Sequence, residues 1–134
     1  MKMVTMAVLM MVGVSGVLMA AATAPDDSQS GSQVRHVVVF KFKPTATAAQ
    51  VREVTTAFGA LKDQIPGIVS FEHGRNHSPE KLDQGFTHVY LVTFTNVAAR
   101  DAYLPHPEHK KFGELLSRLG VVEGAFVVDF TPGQ

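Results

Sequence analysis

The stretch VRHVVVFKFK, Val34 to Lys43, consists almost entirely of β-branched, aromatic and basic residues. This composition and its alternation are typical of a β-strand, in which successive side chains point to opposite faces of a sheet. One face would carry His36, Val38, Phe40 and Phe42, and the other Arg35, Val37, Val39, Lys41 and Lys43. Since both faces contain apolar residues, the sequence predicts a strand that is covered on both sides.

A helix is predicted directly after this strand. Thr47 and Gln50 have the spacing of a capping box, in which each side chain bonds to the other residue's backbone N–H. Apolar residues then recur at helical spacing as far as Ile65. The pattern predicts a helix from about Thr47 to Gln64, ended by Pro66-Gly67.

The rest of the chain alternates between strand and helix patterns. Strands are predicted at Ile68–Gly74, at Phe86–Phe94 and at Gly124–Phe130. Between the last two, Asn96 is suited to cap a short helix through Leu104, and a further helix would run from Pro107 to Gly120.

The element order is β-α-β-β-α-β with a divided second helical segment. This order predicts an α+β, ferredoxin-like fold, in which helices cover one face of a four-stranded antiparallel sheet. The other face would then leave apolar residues in water, which usually marks an interface. We therefore expect a homodimer, a dimeric α/β barrel, packed through Val37, Val39, Val89, Leu91 and Val127.

Bulk properties exclude some partners. The chain has 134 residues, twelve basic and twelve acidic side chains, and no cysteine. A formal net charge of zero argues against nucleic acid as the main partner, because binding to phosphates rewards a basic excess. Without cysteine there are no disulfides, and any metal would need histidine and carboxylate ligands.

The N-terminal segment has the layout of a secretory signal peptide. Lys2 is followed by an apolar run from Val4 to about Ala22 and then by small residues. We predict a signal peptide over residues 1–22, a flexible linker over 23–33 and a single domain over 34–131. The expected location is the periplasm, the cell envelope or the exterior, with no membrane contact after cleavage. The alternative is an uncleaved anchor, because the run approaches the ~20 residues that span a bilayer.

Four motifs resemble the stress-responsive A/B barrel family, also called Dabb. They are RHVVVFKFK in the first strand, GFTHVYLVTF in the third, DAYLPHPEHKKFGELL across the helical turn, and VVDF near the end. The family is similar in fold to the dimeric barrel described above. The resemblance implies a pocket between sheet and helices. By similarity to a plant polyketide cyclase of the family, His36 and His88 match pocket histidines, and Tyr103 and His109 match the catalytic pair.

The residues themselves allow two interpretations of the strand histidines. His36 and His88 lie on the face that the helices are expected to cover, together with Tyr90. They either line a pocket there or serve as buried, hydrogen-bonded core residues. Burial would lower their pKa and keep them neutral at pH 7.

The stretch YLPHPEH, Tyr103 to His109, is the candidate site. His109 falls in the first turn of a helix, where the partial positive charge disfavours imidazolium, so a neutral ring able to accept a proton is expected. Tyr103 would orient that ring or donate to a developing oxyanion. We predict His109 and Tyr103 as catalytic residues and His106 as part of the pocket lining. The alternative is a tight Pro-His-Pro turn with His106 as a cap.

A metal site is the less favoured hypothesis. His73 and His77, with His106 and His109, have only suggestive spacings, because neither pair clearly lies on one continuous helix. The sequence offers no uniquely placed axial ligand for haem, and no cofactor is predicted. Three functions remain: binding of a small hydrophobic, phenolic or carbonyl molecule without turnover, cyclase-like acid-base chemistry, and, least favoured, haem or metal binding.

Overall fold

A computed structural model describes residues 32–134. The predicted signal peptide and nearly all of the predicted linker lie outside the described residues. The elements in chain order are β1 Val34–Phe42, α1 Ala48–Gln64, β2 Ile68–Arg75, β3 His88–Phe94, α2 Val97–Tyr103, α3 Pro107–Leu119 and β4 Val122–Phe130.

The four strands form one antiparallel sheet in the order β2-β3-β1-β4. With α1 between β1 and β2, and α2 and α3 between β3 and β4, this is the predicted ferredoxin-like α+β arrangement. The prediction of the fold is confirmed. β3 begins two residues later than expected and β4 two residues earlier.

A local signal fixes the start of α1. The Thr47 side chain accepts from the Gln50 N–H, and the Gln50 side chain accepts from the Thr47 N–H at 2.9 Å, which completes the capping box. Val54, Phe58 and Leu61 form the buried stripe of the helix. They pack α1 onto the sheet.

The two short helices are joined by a tight turn. Asn96 caps α2 through its side-chain oxygen, which accepts from the Ala99 N–H. α3 ends at Gly120, whose φ of 60° lies in the left-handed region that favours glycine. Both caps were predicted from the sequence.

The core lies between the helices and the sheet. Aromatic rings dominate it, and the rings of Phe58 and Phe112 stack with centroids 4.7 Å apart. This contact joins α1 to α3. The core also contains Val34, Val38, Phe40, Val54, Leu61, Ile65, Tyr90, Val92, Phe94, Tyr103 and Val121.

The opposite side of the sheet, called the open face here, has no helix over it among residues 32–134. Val37, Val39, Val89 and Leu91 lie there and are half-buried. β4 adds exposed apolar side chains to the same face, because Phe126 pairs with Val39 and Val128 with Val37. The open face is therefore a broad apolar surface.

One residue was assigned to the wrong face. Val127 pairs with Val38 in the antiparallel register, and paired residues point to the same side of a sheet. Val127 therefore lies on the helix-covered side, where it is 51% exposed because β4 is an edge strand. The alternation within β4 was clear, but its pairing with β1 sets which half of the pattern faces the helices.

Within residues 32–134, the helices are too short or too polar to serve as membrane spans.

Candidate functional site

The turn between α2 and α3 builds the candidate site. Tyr103 is the last residue of α2, and its carbonyl accepts from the His106 N–H at 3.0 Å. Pro107 occupies the first turn of α3, where its missing N–H has no consequence. The His106 Nδ1 accepts from the Glu108 N–H at 3.2 Å, so this imidazole caps α3.

His109 lies against Tyr103. The two ring centroids are 4.3 Å apart. The His109 Nδ1 is 2.9 Å from the Leu104 carbonyl oxygen, and since a carbonyl can only accept, Nδ1 must donate. In the neutral ring the proton is therefore on Nδ1, which leaves Nε2 with a free lone pair.

The Tyr103 side chain is almost enclosed, at 1% exposure. Burial raises the pKa of its phenol, so the hydroxyl stays protonated and remains a donor. No residue between 32 and 134 hydrogen-bonds to this hydroxyl. The oxygen retains slight contact with solvent, because in this part of the chain no fully buried side-chain oxygen or nitrogen lacks a partner. Its donor is therefore unused among the described residues.

His36 joins this cluster from the sheet. Its ring centroid is 5.7 Å from that of Tyr103 in an edge-on contact, and the residue is 6% exposed. The His36 Nδ1 is 2.6 Å from the Asp129 Oδ1. A carboxylate accepts, so Nδ1 donates and the ring is held in one orientation.

The Asp129 carboxylate also accepts a hydrogen bond from the guanidinium of Arg100. The same guanidinium donates to Asp101 at 2.8 Å. These hydrogen bonds, first to Asp101 and then to Asp129, raise the pKa of Arg100. A continuous series therefore runs from Arg100 through Asp129 and His36 to the Tyr103–His109 pair. Sequence reasoning missed Asp129 and Arg100, although an acid flanked by Val128 and Phe130 at the end of a strand was a visible signal.

His88 lies at the other end of the sheet. His36 pairs with Val92 whereas His88 pairs with Phe40, four residues along β1 from His36. Four residues of antiparallel strand correspond to about 13 Å. The structure therefore brings His36, Tyr103 and His109 together and places His88 apart.

The surroundings of His88 differ from those of the cluster. Its ring centroid is 4.8 Å from that of Phe42, and its Nδ1 is 3.1 Å from the Thr87 hydroxyl. Burial, with a smaller contribution from the positive charge of Arg75, lowers the pKa of His88.

Tyr90 occupies the centre of the core between these two ends. Its hydroxyl is 2.8 Å from the Thr55 hydroxyl on α1, and its ring packs 5.1 Å from that of Phe58. Burial raises its pKa, and the bond to Thr55 opposes that effect. The side chain joins α1 to the sheet.

His73 and His77 lie far along the chain from this series. His73 is an exposed residue of β2 whose ring is 5.7 Å from that of Phe71, and His77 is exposed in the following loop. Across residues 32–134 no group of three or more histidine or acidic side chains has the arrangement that would hold a metal ion.

Comparison with known sequences gives one family match and several relatives. Residues 34–132 match the family described as the stress responsive A/B barrel domain. Olivetolic acid cyclase of Cannabis sativa is 31% identical over 99 residues, covering 74% of this chain and 96% of that protein. The stress-response A/B barrel domain-containing protein HS1 of Arabidopsis thaliana is 30% identical over 99 residues, covering 74% and 89%.

Solved structures share the fold. The crystal structure of At3g17210 from Arabidopsis thaliana superposes with a TM-score of 0.70 at 30% identity, covering 75% of this chain and 96% of that one. A dimeric ferredoxin-like protein of unknown function from Jannaschia sp. CCS1 gives 0.62 at 29% identity, with coverages of 73% and 97%. Hydroxynitrile lyase from Passiflora edulis gives 0.69 at 24% identity, with coverages of 77% and 95%, and is similar in fold alone.

The resemblance inferred from the four motifs is thereby confirmed. The match extends over the whole sheet and all three helices, from β1 to β4. The chain belongs to the stress responsive A/B barrel family.

Proposed function

We propose that the protein binds a small phenolic or carbonyl-containing molecule at the Tyr103–His109 pair. The observation that carries this proposal is the contact of the two rings, 4.3 Å between centroids, in which the Tyr103 hydroxyl and the His109 Nε2 have no hydrogen-bond partner among the described residues. The Tyr103 phenol offers a donor for a carbonyl oxygen. The His109 Nε2 offers an acceptor for a hydroxyl.

The surroundings of the pair favour a ligand with an apolar body. Tyr103 packs against Phe94, with centroids 5.0 Å apart, and against the edge of His36. A site with apolar walls and a few fixed polar groups is the usual form of a small-molecule site. Because Tyr103 is nearly enclosed, we expect the ligand to enter by displacing part of the exposed turn at Leu104 and Pro105.

A second candidate function is acid-base chemistry at the same pair. The fixed Nδ1–H of His109 leaves Nε2 as a base that can remove a proton from the carbon next to a carbonyl. The electron pair moves to the carbonyl oxygen, where the Tyr103 hydroxyl donates a hydrogen bond to the developing enolate. The similarity to olivetolic acid cyclase, at 31% identity, supports this alternative.

The proposed assembly is a homodimer joined through the open face. Two observations support it. The face is apolar, and the protein from Jannaschia sp. CCS1, which is 29% identical, is a dimeric ferredoxin-like protein. Packing two such faces would remove the half-buried and exposed apolar side chains from water.

The proposed location is outside the cytoplasm. The protein would be exported and residues 1–22 would be removed as a signal peptide. The proposal rests on the Lys2, apolar and small-residue layout of that segment. Intact-mass analysis of the protein purified from its native source tests it. A mass that retains residues 1–22 would contradict cleavage and favour the anchor.

Binding can be tested with 4-hydroxyacetophenone, which carries both a phenol and a carbonyl, by isothermal titration calorimetry. Tyr103→Phe and His109→Ala should each weaken binding up to about tenfold, the value of one net hydrogen bond. His77→Ala, in an exposed loop, is the matched control and should bind as the wild type does. Equal affinity of all four proteins would overturn the proposal.

Turnover is tested separately with an enolisable β-keto thioester followed by mass spectrometry. His109→Ala should abolish product while the circular dichroism spectrum stays unchanged. Full activity of His109→Ala would exclude this residue as the base without affecting the binding proposal.

A further inference from the structure

A groove lies at the end of the helix-covered face that carries His88, remote from the Tyr103–His109 pair. Its volume is about 500 Å³. Phe42, Ala46 and Val51 give it an apolar floor, and Thr87 and His88 lie at the strand side. We call it the basic groove because of the side chains around it, which are Lys43, Arg52 and Arg75.

The three cations of the basic groove are unpaired in the described part of the chain. Ion pairs there occupy Lys41, Lys62, Arg100, Lys111 and Arg118 instead. The groove is lined by no acidic residue. Since the formal net charge of the whole chain is zero, three unpaired positive charges around one groove form a local excess that attracts an anion.

Three different elements supply these charges. Lys43 follows β1, Arg52 lies in the second turn of α1, and Arg75 ends β2 beside His88 in the β3 register. The lowered pKa of His88 reflects in part the nearby charge of Arg75. The cations of one groove therefore come from three separate elements, unlike a row of charges along one solvated helix face.

We propose that the basic groove binds a small organic anion, with a carboxylate held by Arg52 and Arg75 and an apolar body against Phe42 and Val51. Guanidinium groups match carboxylate oxygens in pairs of parallel hydrogen bonds. Lys43 adds a third charge. The apolar floor selects an anion attached to an aromatic or aliphatic group over a bare inorganic ion.

The test uses 2-naphthoate and its uncharged counterpart 2-naphthamide, which has nearly the same shape. Isothermal titration calorimetry at low ionic strength and near neutral pH should show that the acid binds at least about tenfold more tightly, because charge-assisted hydrogen bonds exceed neutral ones. Inorganic phosphate, added as competitor, should displace naphthoate only at much higher concentration. Equal binding of acid and amide, or equal potency of phosphate and naphthoate, would overturn the proposal.

Variants locate the bound anion. Arg52→Gln and Arg75→Gln should each weaken naphthoate binding about fivefold, the upper range for a single exposed ion pair, and the double variant should lose more. Lys62→Gln removes the same charge from the other end of α1 and should bind as the wild type does. Wild-type affinity in the double arginine variant would refute the site.

The basic groove and the Tyr103–His109 pair can be told apart with the same probes. Tyr103→Phe should leave naphthoate binding unchanged, and Arg52→Gln should leave 4-hydroxyacetophenone binding unchanged. A loss of naphthoate binding in Tyr103→Phe alone would show that the anion binds at the pair, which would overturn the inference. Failure of the pair to bind its own probe has no bearing on the groove.

Discussion

His36 is a buried polar group whose partner comes from a neighbouring strand. β1 and β4 pair so that His36 lies opposite Asp129, and their side chains meet at 2.6 Å. Arg100 of α2 reaches the same carboxylate. The contact ties the edge strand to a central strand and to a helix. It also orients the imidazole that lies next to Tyr103.

Asp129→Asn should destabilise the protein by about 1–3 kcal/mol, because it keeps the shape of the side chain but replaces a charged acceptor of two hydrogen bonds. Urea unfolding followed by circular dichroism measures the change. Asp101→Asn is the control, since among residues 32–134 the Asp101 side chain bonds only to Arg100 and is exposed, and this variant should stay within about 0.5 kcal/mol of the wild type. A similar loss of stability in both variants would mean that the His36–Asp129 hydrogen bond contributes no more to stability than the Arg100–Asp101 contact does.

His88 gives the stability a pH dependence of known sign. Its pKa is lower in the folded protein than the ordinary value of 6.5, so the unfolded chain binds the proton more readily. The contribution of His88 to the free energy of unfolding is fully present above pH 6.5, and it is lost as the pH falls through the lowered pKa. His88→Asn should therefore flatten the decrease of the unfolding free energy between neutral and mildly acidic pH. Urea midpoints measured across that range that keep the wild-type slope would contradict this.

Sequence reasoning at the residue scale reached the faces but not the partners. Alternation placed His36 and His88 on the helix-covered side, where both lie. Alternation could not show that the two histidines lie at opposite ends of the sheet, because their positions along the sheet depend on the register of β1 and β3. Asp129 was missed for the same reason: its role exists only through a partner 93 positions away.

Individual elements carry their own start and stop signals. Thr47, Asn96 and Gly120 were identified as terminal residues from local chemistry, and each has that position in the structure. Such signals act within one turn and need no knowledge of the rest of the fold. Pairing is different, and the face of Val127 was wrong because the register of β4 is set by β1.

Thr47→Ala should cost about 1 kcal/mol of stability, because it removes the side-chain oxygen that satisfies the Gln50 N–H at the start of α1. Thermal or urea unfolding detects a change of this size. Thr56→Ala, an exposed position inside the same helix, should be neutral or slightly stabilising, since alanine is the better helix former. If both variants lose equal stability, the cap is not what stabilises this end of the helix.

The whole molecule has one covered and one uncovered side of its sheet. The helices and aromatic core fill the first, while the open face presents valine, leucine and phenylalanine side chains from β1, β3 and β4. The element order alone predicted this asymmetry. A sheet of four strands with apolar residues on both sides and helices on one leaves an apolar surface that favours a partner. In the proposed homodimer a second copy of the chain would supply the matching surface.

Val89→Lys should disrupt the proposed homodimer, because Val89 lies on the open face of the inner strand β3 and a buried ammonium without a partner is costly. Analytical ultracentrifugation should show a dimer for the wild type and a dissociation constant raised at least about 100-fold, or some 3 kcal/mol, for the variant. Val127→Lys is the matched control, since it places the same charge at an exposed apolar site on the other side of the sheet, and it should remain dimeric. A wild-type protein that sediments as a monomer at micromolar concentration would refute the dimer. Dissociation by Val127→Lys with Val89→Lys intact would place the interface on the helical side instead.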